Sequence, residues 1–287
     1  DIQGGYYRPL FTHKVIAGLN KEGLPIGWLQ RLVGQSLAIN TDFESASIIN
    51  GIDYQNLGGA AWRPYAIANR RTELHGPTSP IPAQFWRAVC YSQNTFVSES
   101  FMDEVAHAGG QDPLALRQKL LADSPRHLGV LEQVAKKSDW GKPLAKGHAP
   151  GIAIDHAMGS YVAQVAEVSI TNTNEVRVHR IVCAVDCGIA VNPANVKAQI
   201  ESGIIYGLSA ALYGEITIEN GKVRQSNFHD YPVLRMNAMP DIEVHIVKNN
   251  EPPSGAGEPG LPPIAPAVAN ALFALTGNRI RKLPIKL

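Results

Sequence analysis

The sequence predicts an α+β fold with mixed, largely antiparallel sheets and helices packed against them. Three pairs of strand-like segments are separated by short turn sequences, which is typical of β-hairpins. Four segments with helical periodicity stand between or after these pairs, without the regular strand–helix alternation of a doubly wound parallel sheet. Apolar residues make up 45% of the 287 residues, which is enough for a substantial core.

The first half of the chain combines one hairpin with two helices. Residues 20–23 end in Gly23 and predict the turn of that hairpin. Asp112 is a good N-cap, and Pro113 suits the first position of the second helix. The predicted elements are strands at 14–19 and 26–33, long loops over 56–82, and helices at 96–106 and 113–121.

The second half begins after a polar segment over 138–150, so we place two α+β halves at 1–145 and 146–287. Asn192 with Pro193 predicts the start of a long helix, and Gly277 the end of the last one. The predicted elements are a hairpin at 161–170 and 175–185, a helix over 192–213, a hairpin at 215–218 and 222–225, a strand at 242–247 and a helix at 266–276.

Composition excludes several classes of function. The net charge of +1 gives no electrostatic basis for binding nucleic acid or an anionic membrane surface. The sequence contains no run of 18 or more apolar residues, so it predicts no membrane-spanning helix. Three cysteines are too few for a disulfide framework. The chain begins at Asp1, so we expect a processed chain or part of a longer polypeptide, and its compartment cannot be read from this start.

The residues 255–260 match the dinucleotide pattern G-x-G-x-x-G, but their context does not. The segment Glu-Pro-Pro-Ser at 251–254 stands between them and the preceding strand, prolines interrupt the expected helix, and no acidic residue follows Glu258 to bind a ribose. A second interpretation makes Glu258 a general base, since glycines allow close approach of a ligand and apolar neighbours favour proton transfer by a carboxylate. The alternative is a Gly-Pro turn with a surface glutamate.

Two further groups of residues invite a functional interpretation. Cys183 and Cys187 lack partners at metal-binding spacing and are predicted to be small buried apolar groups. Five arginines could bind an anionic ligand, and Arg87 stands out because it lies in an apolar run and needs a buried partner, such as a phosphate or oxo group. The five are Arg63, Arg70, Arg71, Arg87 and Arg117.

Several segments, in order along the chain, resemble the molybdenum hydroxylases of the xanthine oxidase family, and among them the isoquinoline 1-oxidoreductase β-subunit type. The resemblance covers essentially the whole chain. The segments are Gly-Gly-Tyr-Tyr-Arg-Pro at 4–9, Trp-Arg-Ala-Val at 86–89, Glu-Ser-Phe at 99–101, Asp-Cys-Gly at 186–188, Val-Asn-Pro at 191–193, Gln199, the 255–260 motif, and the tails at 262–267 and 276–284.

This resemblance implies a molybdenum-cofactor-binding fold with a molybdenum–molybdopterin cofactor, including its cytosine dinucleotide form, that takes no metal ligand directly from the protein. Glu258 then matches the catalytic base in the hydroxylation of an N-heterocycle or aldehyde with oxygen derived from water. Gln199, Arg117, Gly255 and Gly257 match cofactor-binding positions, and Arg87 matches an arginine near the substrate and metal.

The departures from the family pattern are also informative. Cys90 stands where many relatives carry glycine, and the family's methionine-glycine-glutamine loop and Gly-Gly-Phe-Gly segment are not in this chain. The chain therefore resembles the C-terminal part of a large subunit. The implied partners are a chain or segment with the upstream half, a subunit with iron–sulfur clusters or haem, and a small-molecule substrate. The implied source is bacterial, with a periplasmic or cytoplasmic location. The alternative is a non-catalytic assembly or binding module that keeps the fold without metal.

Overall fold

The computed structural model describes residues 2–61 and 64–287. The strands are β1 (Phe11–Leu19), β2 (Pro25–Gly34), β3 (Ile48–Ile49), β4 (Ile52–Asp53), β5 (Asn69–His75), β6 (His148–Ala157), β7 (Ser160–Ile170), β8 (Val176–Asp186), β9 (Ile218–Glu219), β10 (Lys222–Val223) and β11 (Asp241–Ile246). The helices are α1 (Glu44–Ser47), α2 (Tyr91–Ala108), α3 (Pro113–Leu120), α4 (Pro125–Lys137), α5 (Pro193–Tyr213) and α6 (Ile264–Thr276), with short 3-10 helices at Tyr54–Leu57 and Met236–Ala238.

Two larger sheets organise the described chain. One has the order β1-β2-β5, with β1 and β2 antiparallel and β5 parallel to β2. The other has the order β11-β8-β7-β6, in which β6, β7 and β8 are antiparallel neighbours and β11 is parallel to β8. Two small sheets pair β3 with β4 and β9 with β10. The predicted α+β class with mixed, largely antiparallel sheets is confirmed.

The turn between β1 and β2 follows from its residue types. The Asn20 side-chain oxygen accepts hydrogen bonds from the backbone N–H groups of Glu22 and Leu24, at 3.1 and 2.8 Å. Gly23 adopts a positive φ of 75°, which glycine reaches without a steric penalty. An asparagine-initiated, glycine-closed turn therefore fixes this hairpin.

Capping residues set the ends of three helices where the sequence predicts them. The Asp112 carboxylate accepts hydrogen bonds from the backbone N–H groups of Leu114 and Ala115, each at 2.9 Å, so α3 begins at Pro113. Asn192 caps α5 in the same way. The left-handed Gly277 ends α6.

The four-stranded sheet divides the core into two layers. Alternate side chains of β8 point to opposite faces, with Cys183 and Val185 in one buried cluster and Val182 and Ala184 in the other. The first cluster is completed by α5 and α6, and the second by α2, α3 and α4. This sheet therefore holds α5, α6 and the loop between β11 and α6 on one side of the molecule.

The structure differs from the predicted elements in several places. The helix α4 lies where no helix is predicted, and α2 begins five residues earlier than predicted. The strand β5 lies inside the predicted loop region 56–82, and β6 begins inside the predicted junction 138–150. The strands β9 and β10 have two residues each and are shorter than predicted. The boundary at residue 145 stays a prediction, although α4, which precedes it, packs on β7 and β8, which follow it.

None of the helices in the part of the chain that the structure describes combines the length and the apolar character needed to cross a membrane.

Candidate functional site

Glu258 lies in the loop of residues 247–263 between β11 and α6, which we call the Glu258 loop. Its side chain is half-buried, while Pro259 and Gly260 next to it are buried. One carboxylate oxygen, Oε1, accepts a hydrogen bond of 3.0 Å from the backbone N–H of Ala88. The other oxygen accepts no hydrogen bond from the residues that the structure describes. Glu258 is therefore oriented through one oxygen and open at the second.

The N–H that contacts Glu258 comes from an unusual turn before α2. Ala88 and Val89 have positive φ angles of 66° and 46°, a region that residues with side chains rarely adopt. The Val89 N–H donates to the carbonyl of Trp86 at 2.8 Å and closes the turn. Such strain persists only where surrounding contacts enforce it, and it is common at functional sites. Here it directs the Ala88 N–H toward Glu258.

Arg87 connects this turn to the Glu258 loop and to α5. Its guanidinium donates hydrogen bonds to the carbonyl of Gly257 at 2.9 Å from Nε and to the Ser202 hydroxyl at 2.9 Å. It also contacts Gln199, through the carbonyl at 3.2 Å and Oε1 at 3.4 Å. These acceptors are all neutral, and Arg87 forms no ion pair within the described residues. Its positive charge is therefore still available to an anionic group.

Gln199 lies on the exposed face of the first half of α5. A Cβ placed on Gly257 would lie 3.7 Å from Gln199 Oε1, so the predicted pair is close in space. Further along the loop, a Cβ on Gly260 would lie only 2.6 Å from the carbonyl oxygen of Ile200, which leaves no room for a side chain. The glycines thus allow the Glu258 loop to lie directly against α5.

Gly255 packs at the other side of the loop, on the turn between β6 and β7. Its N–H donates to the carbonyl of Met158 at 2.9 Å, and its carbonyl accepts from the Ser160 hydroxyl at 2.7 Å. Gly255 is exposed, and it lies three residues before Glu258. The structure therefore brings Glu258, Arg87, Gln199 and Gly257 together, with Gly255 at the edge of the same loop.

Arg117 lies elsewhere, in the core. It is 0% exposed, and its Nε is 3.0 Å from Glu99 Oε2 in a buried ion pair. Two more donors reach the carbonyls of Pro113 and Glu99. Its contacts are thus with the protein interior rather than with the Glu258 group, and its predicted role in holding the cofactor stays a prediction.

The remaining members of the arginine cluster do not converge on Glu258. Arg70 and Arg71 lie on β5, where Arg71 pairs with Glu73 at 2.7 Å. Arg63 lies outside the described residues. Arg87 is thus the member of the cluster that the described structure places beside Glu258.

The cysteines are buried thiols. Burial raises the pKa of Cys183 and of Cys187, which have exposures of 0% and 2%, in agreement with their predicted role as small apolar groups. Burial also raises the pKa of Cys90 to about 12, and its thiol donates to Asn56 Oδ1 at 3.2 Å. Cys90, which directly follows the strained turn, is therefore buried and hydrogen-bonded to the 3-10 helix at Tyr54–Leu57.

Sequence reasoning missed two residues of this site. Ser202 lies three positions after Gln199 on α5, and that helical spacing could have identified it. Ala88 contributes only its backbone N–H, and no residue type in the sequence signals a left-handed alanine.

The group fits an anionic cofactor that is held through many polar contacts. Arg87 has a charge without a carboxylate partner, Gln199 and Ser202 offer exposed polar side chains, and Gly255 and Gly257 leave the loop surface free of side chains. Among the described residues, no three or more His, Cys, Asp and Glu side chains come together as a metal site. A cofactor that brings its own metal ligands suits this set of donors.

Comparison with known proteins assigns the class of this fold. Residues 132–240 match the family described as "Molybdopterin cofactor-binding domain". In structure, the chain is similar to quinoline 2-oxidoreductase from Pseudomonas putida 86, with a TM-score of 0.81 and 12% identity over 99% of this chain and 62% of that one. It is also similar to the aldehyde oxidoreductase from Desulfovibrio desulfuricans, with a TM-score of 0.75 and 16% identity over 96% of this chain and 48% of that one.

Two relatives found by sequence match a smaller share of this chain than these two solved structures do, but at higher identity. The β-subunit of isoquinoline 1-oxidoreductase from Brevundimonas diminuta is 37% identical over 77% of this chain and 29% of its own length. A nicotinate dehydrogenase subunit of Pseudomonas putida is 34% identical over 77% of this chain and 20% of its own length. The chain has the molybdenum-cofactor-binding fold of the xanthine oxidase family, and the predicted resemblance to that family is confirmed. The chain spans less than a third of the length of these two relatives.

Proposed function

We propose that this chain supplies the general base and part of the cofactor cradle of a molybdenum hydroxylase that acts on an N-heterocycle or an aldehyde. One observation carries the proposal: Glu258 is held through Oε1 by the Ala88 N–H, is open at Oε2, and lies beside an Arg87 guanidinium without a carboxylate partner. When bound, the molybdenum–molybdopterin cofactor supplies the two-electron oxidation and the activation of a water-derived oxygen. The printed names of the relatives, which include isoquinoline, nicotinate and aldehyde enzymes, support this substrate class.

In this mechanism the open oxygen of Glu258 accepts a proton at the start of the reaction. The hydrogen bond from Ala88 restricts the rotation of the carboxylate, so that Oε2 keeps a constant direction toward the reacting group. Proton acceptance by a correctly oriented carboxylate contributes about 10²–10⁴-fold to such a reaction.

In this proposal the neighbours of Glu258 bind the cofactor and orient it beside the base. Arg87 favours negative charge next to the base, since its own acceptors are neutral. Gln199 and Ser202 offer polar groups to the cofactor from α5, while Gly255 and Gly257 allow it to approach the loop backbone. We also propose the cytosine dinucleotide form of the cofactor for this cradle. A contribution of Arg117 to holding the cofactor would have to act through the core, because its side chain is buried and paired with Glu99.

The short span of the chain relative to its curated relatives supports a dependence on partners. A chain or segment with the upstream half completes the cradle in this proposal, and a subunit with iron–sulfur clusters or haem receives the electrons. The second candidate function is a non-catalytic assembly module. Molybdenum analysis of the purified complex separates the two, since a module without metal contains no molybdenum even when the cofactor is well supplied.

The proposal is tested by Glu258→Gln in the intact enzyme that contains this chain. We expect kcat to fall by about 10²–10⁴-fold at unchanged molybdenum content, because the amide keeps the shape of the side chain but accepts no proton. Glu132→Gln, an exposed carboxylate on α4 away from the site, is the control and should keep full activity. Turnover by Glu258→Gln within about tenfold of wild type, with molybdenum bound, would exclude the role as base.

A further inference from the structure

We propose that Asp186, Arg126 and Asn249 form a positioning unit that fixes the Glu258 loop for catalysis. This inference rests on the proposed function of Glu258. None of the three residues touches Glu258, and they lie on β8, on α4 and near the start of the loop.

Asp186 is the centre of the unit. It ends β8 with 2% exposure, and its carboxylate accepts hydrogen bonds from Arg126 Nε at 2.8 Å and from Arg126 Nη2 at 2.7 Å. It also accepts from the Gly188 N–H at 3.0 Å and from the Asn249 side-chain amide. Burial alone would raise the pKa of Asp186, but these hydrogen bonds together lower it, so the carboxylate stays charged. Four donors on one buried carboxylate form a rigid junction.

Arg126 connects this junction to the core. Its guanidinium lies 4.3 Å from the centre of the Tyr161 ring, so it is held between an aromatic face and the carboxylate. Its helix, α4, packs on β7 and β8 through buried residues such as Leu131 and Val134. Arg126 therefore links the Asp186 carboxylate to α4, which is itself packed on the sheet.

Asn249 connects the junction to the Glu258 loop. While its amide N–H₂ donates to Asp186, its side-chain oxygen accepts from the backbone N–H of Glu251 at 2.8 Å. The turn that follows Asp186 continues the contact. Ile189 donates its N–H to the Glu251 carbonyl, and Ser254 donates its N–H to the Cys187 carbonyl, both at 2.9 Å.

Gly188 shows how closely the two segments pack. It has a φ of 70°, and a Cβ there would lie 2.2 Å from the carbonyl oxygen of Pro252. The loop is thus attached to the 186–189 turn from Asn249 to Ser254, and Glu258 follows four residues after the last of these contacts. The Asp-Cys-Gly segment at 186–188 thus supports the Glu258 loop in this proposal and does not bind a metal or cofactor itself.

Release of this support should displace Glu258 without removing any group that contacts it. A displacement of a catalytic group by about 1 Å can lower the rate about 10²-fold, even when the substituted residue lies far from the reacting atoms. For Asp186→Asn in the intact enzyme we expect kcat to fall by at least about tenfold, with KM and molybdenum content little changed. Asn249→Ala, a milder variant at the surface of the unit, should show a smaller fall of the same kind.

Two measurements test the proposal. The first is a double-mutant cycle with Glu258→Gln: if Asp186 acts through Glu258, Asp186→Asn should lower kcat further by less than about twofold in the Glu258→Gln background. The second is hydrogen exchange of the Ser254 and Gly255 amides, which should exchange faster in Asp186→Asn and in Asn249→Ala. Arg180→Gln is the matched control. Arg180 lies on β8, six residues before Asp186, and its ion pair of 2.6 Å is with Glu243 on β11. Loss of this pair should change neither quantity.

The outcomes are separable. Unchanged exchange at 254–255 in both variants, or an equal loss of kcat with and without Glu258→Gln, overturns the positioning unit. If Asp186→Asn does not fold, Asn249→Ala decides between these outcomes by the same two measurements. A Glu258→Gln variant that keeps its activity overturns the proposed base instead, and the exchange measurement then still reports whether the unit holds the loop.

Discussion

Two arginines of the predicted cluster have different environments in this molecule. Arg87 is half-buried, and the hydrogen-bond acceptors that surround it are neutral groups. Arg117 is completely buried and is neutralised by Glu99, which also accepts a hydrogen bond from the Tyr65 hydroxyl at 2.8 Å. Residue type alone does not separate the two cases. The position of a carboxylate 18 residues away does, and only the packing of α2 against α3 sets that position.

The buried pair of Arg117 and Glu99 makes a testable contribution to stability. Arg117→Met leaves the Glu99 carboxylate in the core without its cation, so the free energy of unfolding should fall by about 3–5 kcal/mol. Chemical denaturation of the variant and the wild type measures this change.

The matched control for this measurement is Arg281→Met. This substitution breaks the ion pair of 2.6 Å between Arg281 and Glu104, which lies on α2 like Glu99. The Arg281 side chain, however, is 69% exposed. The loss of unfolding free energy should therefore stay below about 1 kcal/mol. Equal effects of the two substitutions would contradict a structural role specific to Arg117.

At the scale of elements, the sequence was informative where a turn or cap has a chemical signature. The β1–β2 hairpin, α3, α5 and the end of α6 are found as predicted, since asparagine, aspartate, proline and glycine act there through local hydrogen bonds and backbone angles. The helix α4 and the strands β5 and β6 were missed. β5 is an exposed, charged edge strand paired only with β2, and β6 contains a glycine and a proline that resemble loop residues. Their pairing depends on distant strands, which local patterns do not encode.

Distant contacts also limit what the sequence says about the candidate site. Glu258 and Gly257 were predicted with the 255–260 motif, Gln199 from the family resemblance and Arg87 from its apolar surroundings, and the structure places them close together. The left-handed turn at Ala88 was not found, because it results from the contacts between the segment before α2 and the Glu258 loop.

The β1–β2 hairpin should confer a pH dependence on stability through His13. Burial lowers the pKa of His13 to about 4, from an ordinary value of 6.5, and its Nε2 has no hydrogen-bond partner among the described residues. Between these two values the unfolded chain binds a proton that the folded chain does not. The contribution of His13 to the free energy of unfolding should therefore be fully present above about pH 6.5, and the free energy of unfolding should decrease as the pH falls toward 4.

Urea denaturation at pH 7 and pH 5 measures this effect. His13→Gln should reduce the pH dependence, whereas His75→Gln, at the exposed end of β5, should leave it unchanged. A His13→Gln variant with the full pH dependence of the wild type would show that the loss of stability originates elsewhere.

At the scale of the whole molecule, the two predicted halves share one core layer. Leu131 of α4, from the first half, lies in the same buried cluster as Val165 of β7 and Val182 of β8, from the second. On the opposite face of the sheet, α5 and α6 hold the Glu258 loop, while α4 anchors that loop through Arg126 and Asp186. The geometry of the site therefore depends on packing on both faces of the sheet.

A shared core layer predicts that the chain unfolds as one cooperative unit despite its length of 287 residues. Leu131→Ala should destabilise the protein by about 2–5 kcal/mol, because it removes buried apolar atoms and leaves a cavity. Differential scanning calorimetry should then show a single transition at a lower Tm, with calorimetric and van't Hoff enthalpies still equal. Leu10→Ala is the control, since Leu10 is 87% exposed and its loss should leave Tm unchanged. If residues 1–145 and 146–287 were independent domains, Leu131→Ala would instead shift one of two transitions and leave the other in place. That result would also separate α4, and with it Arg126, from the half that contains Glu258.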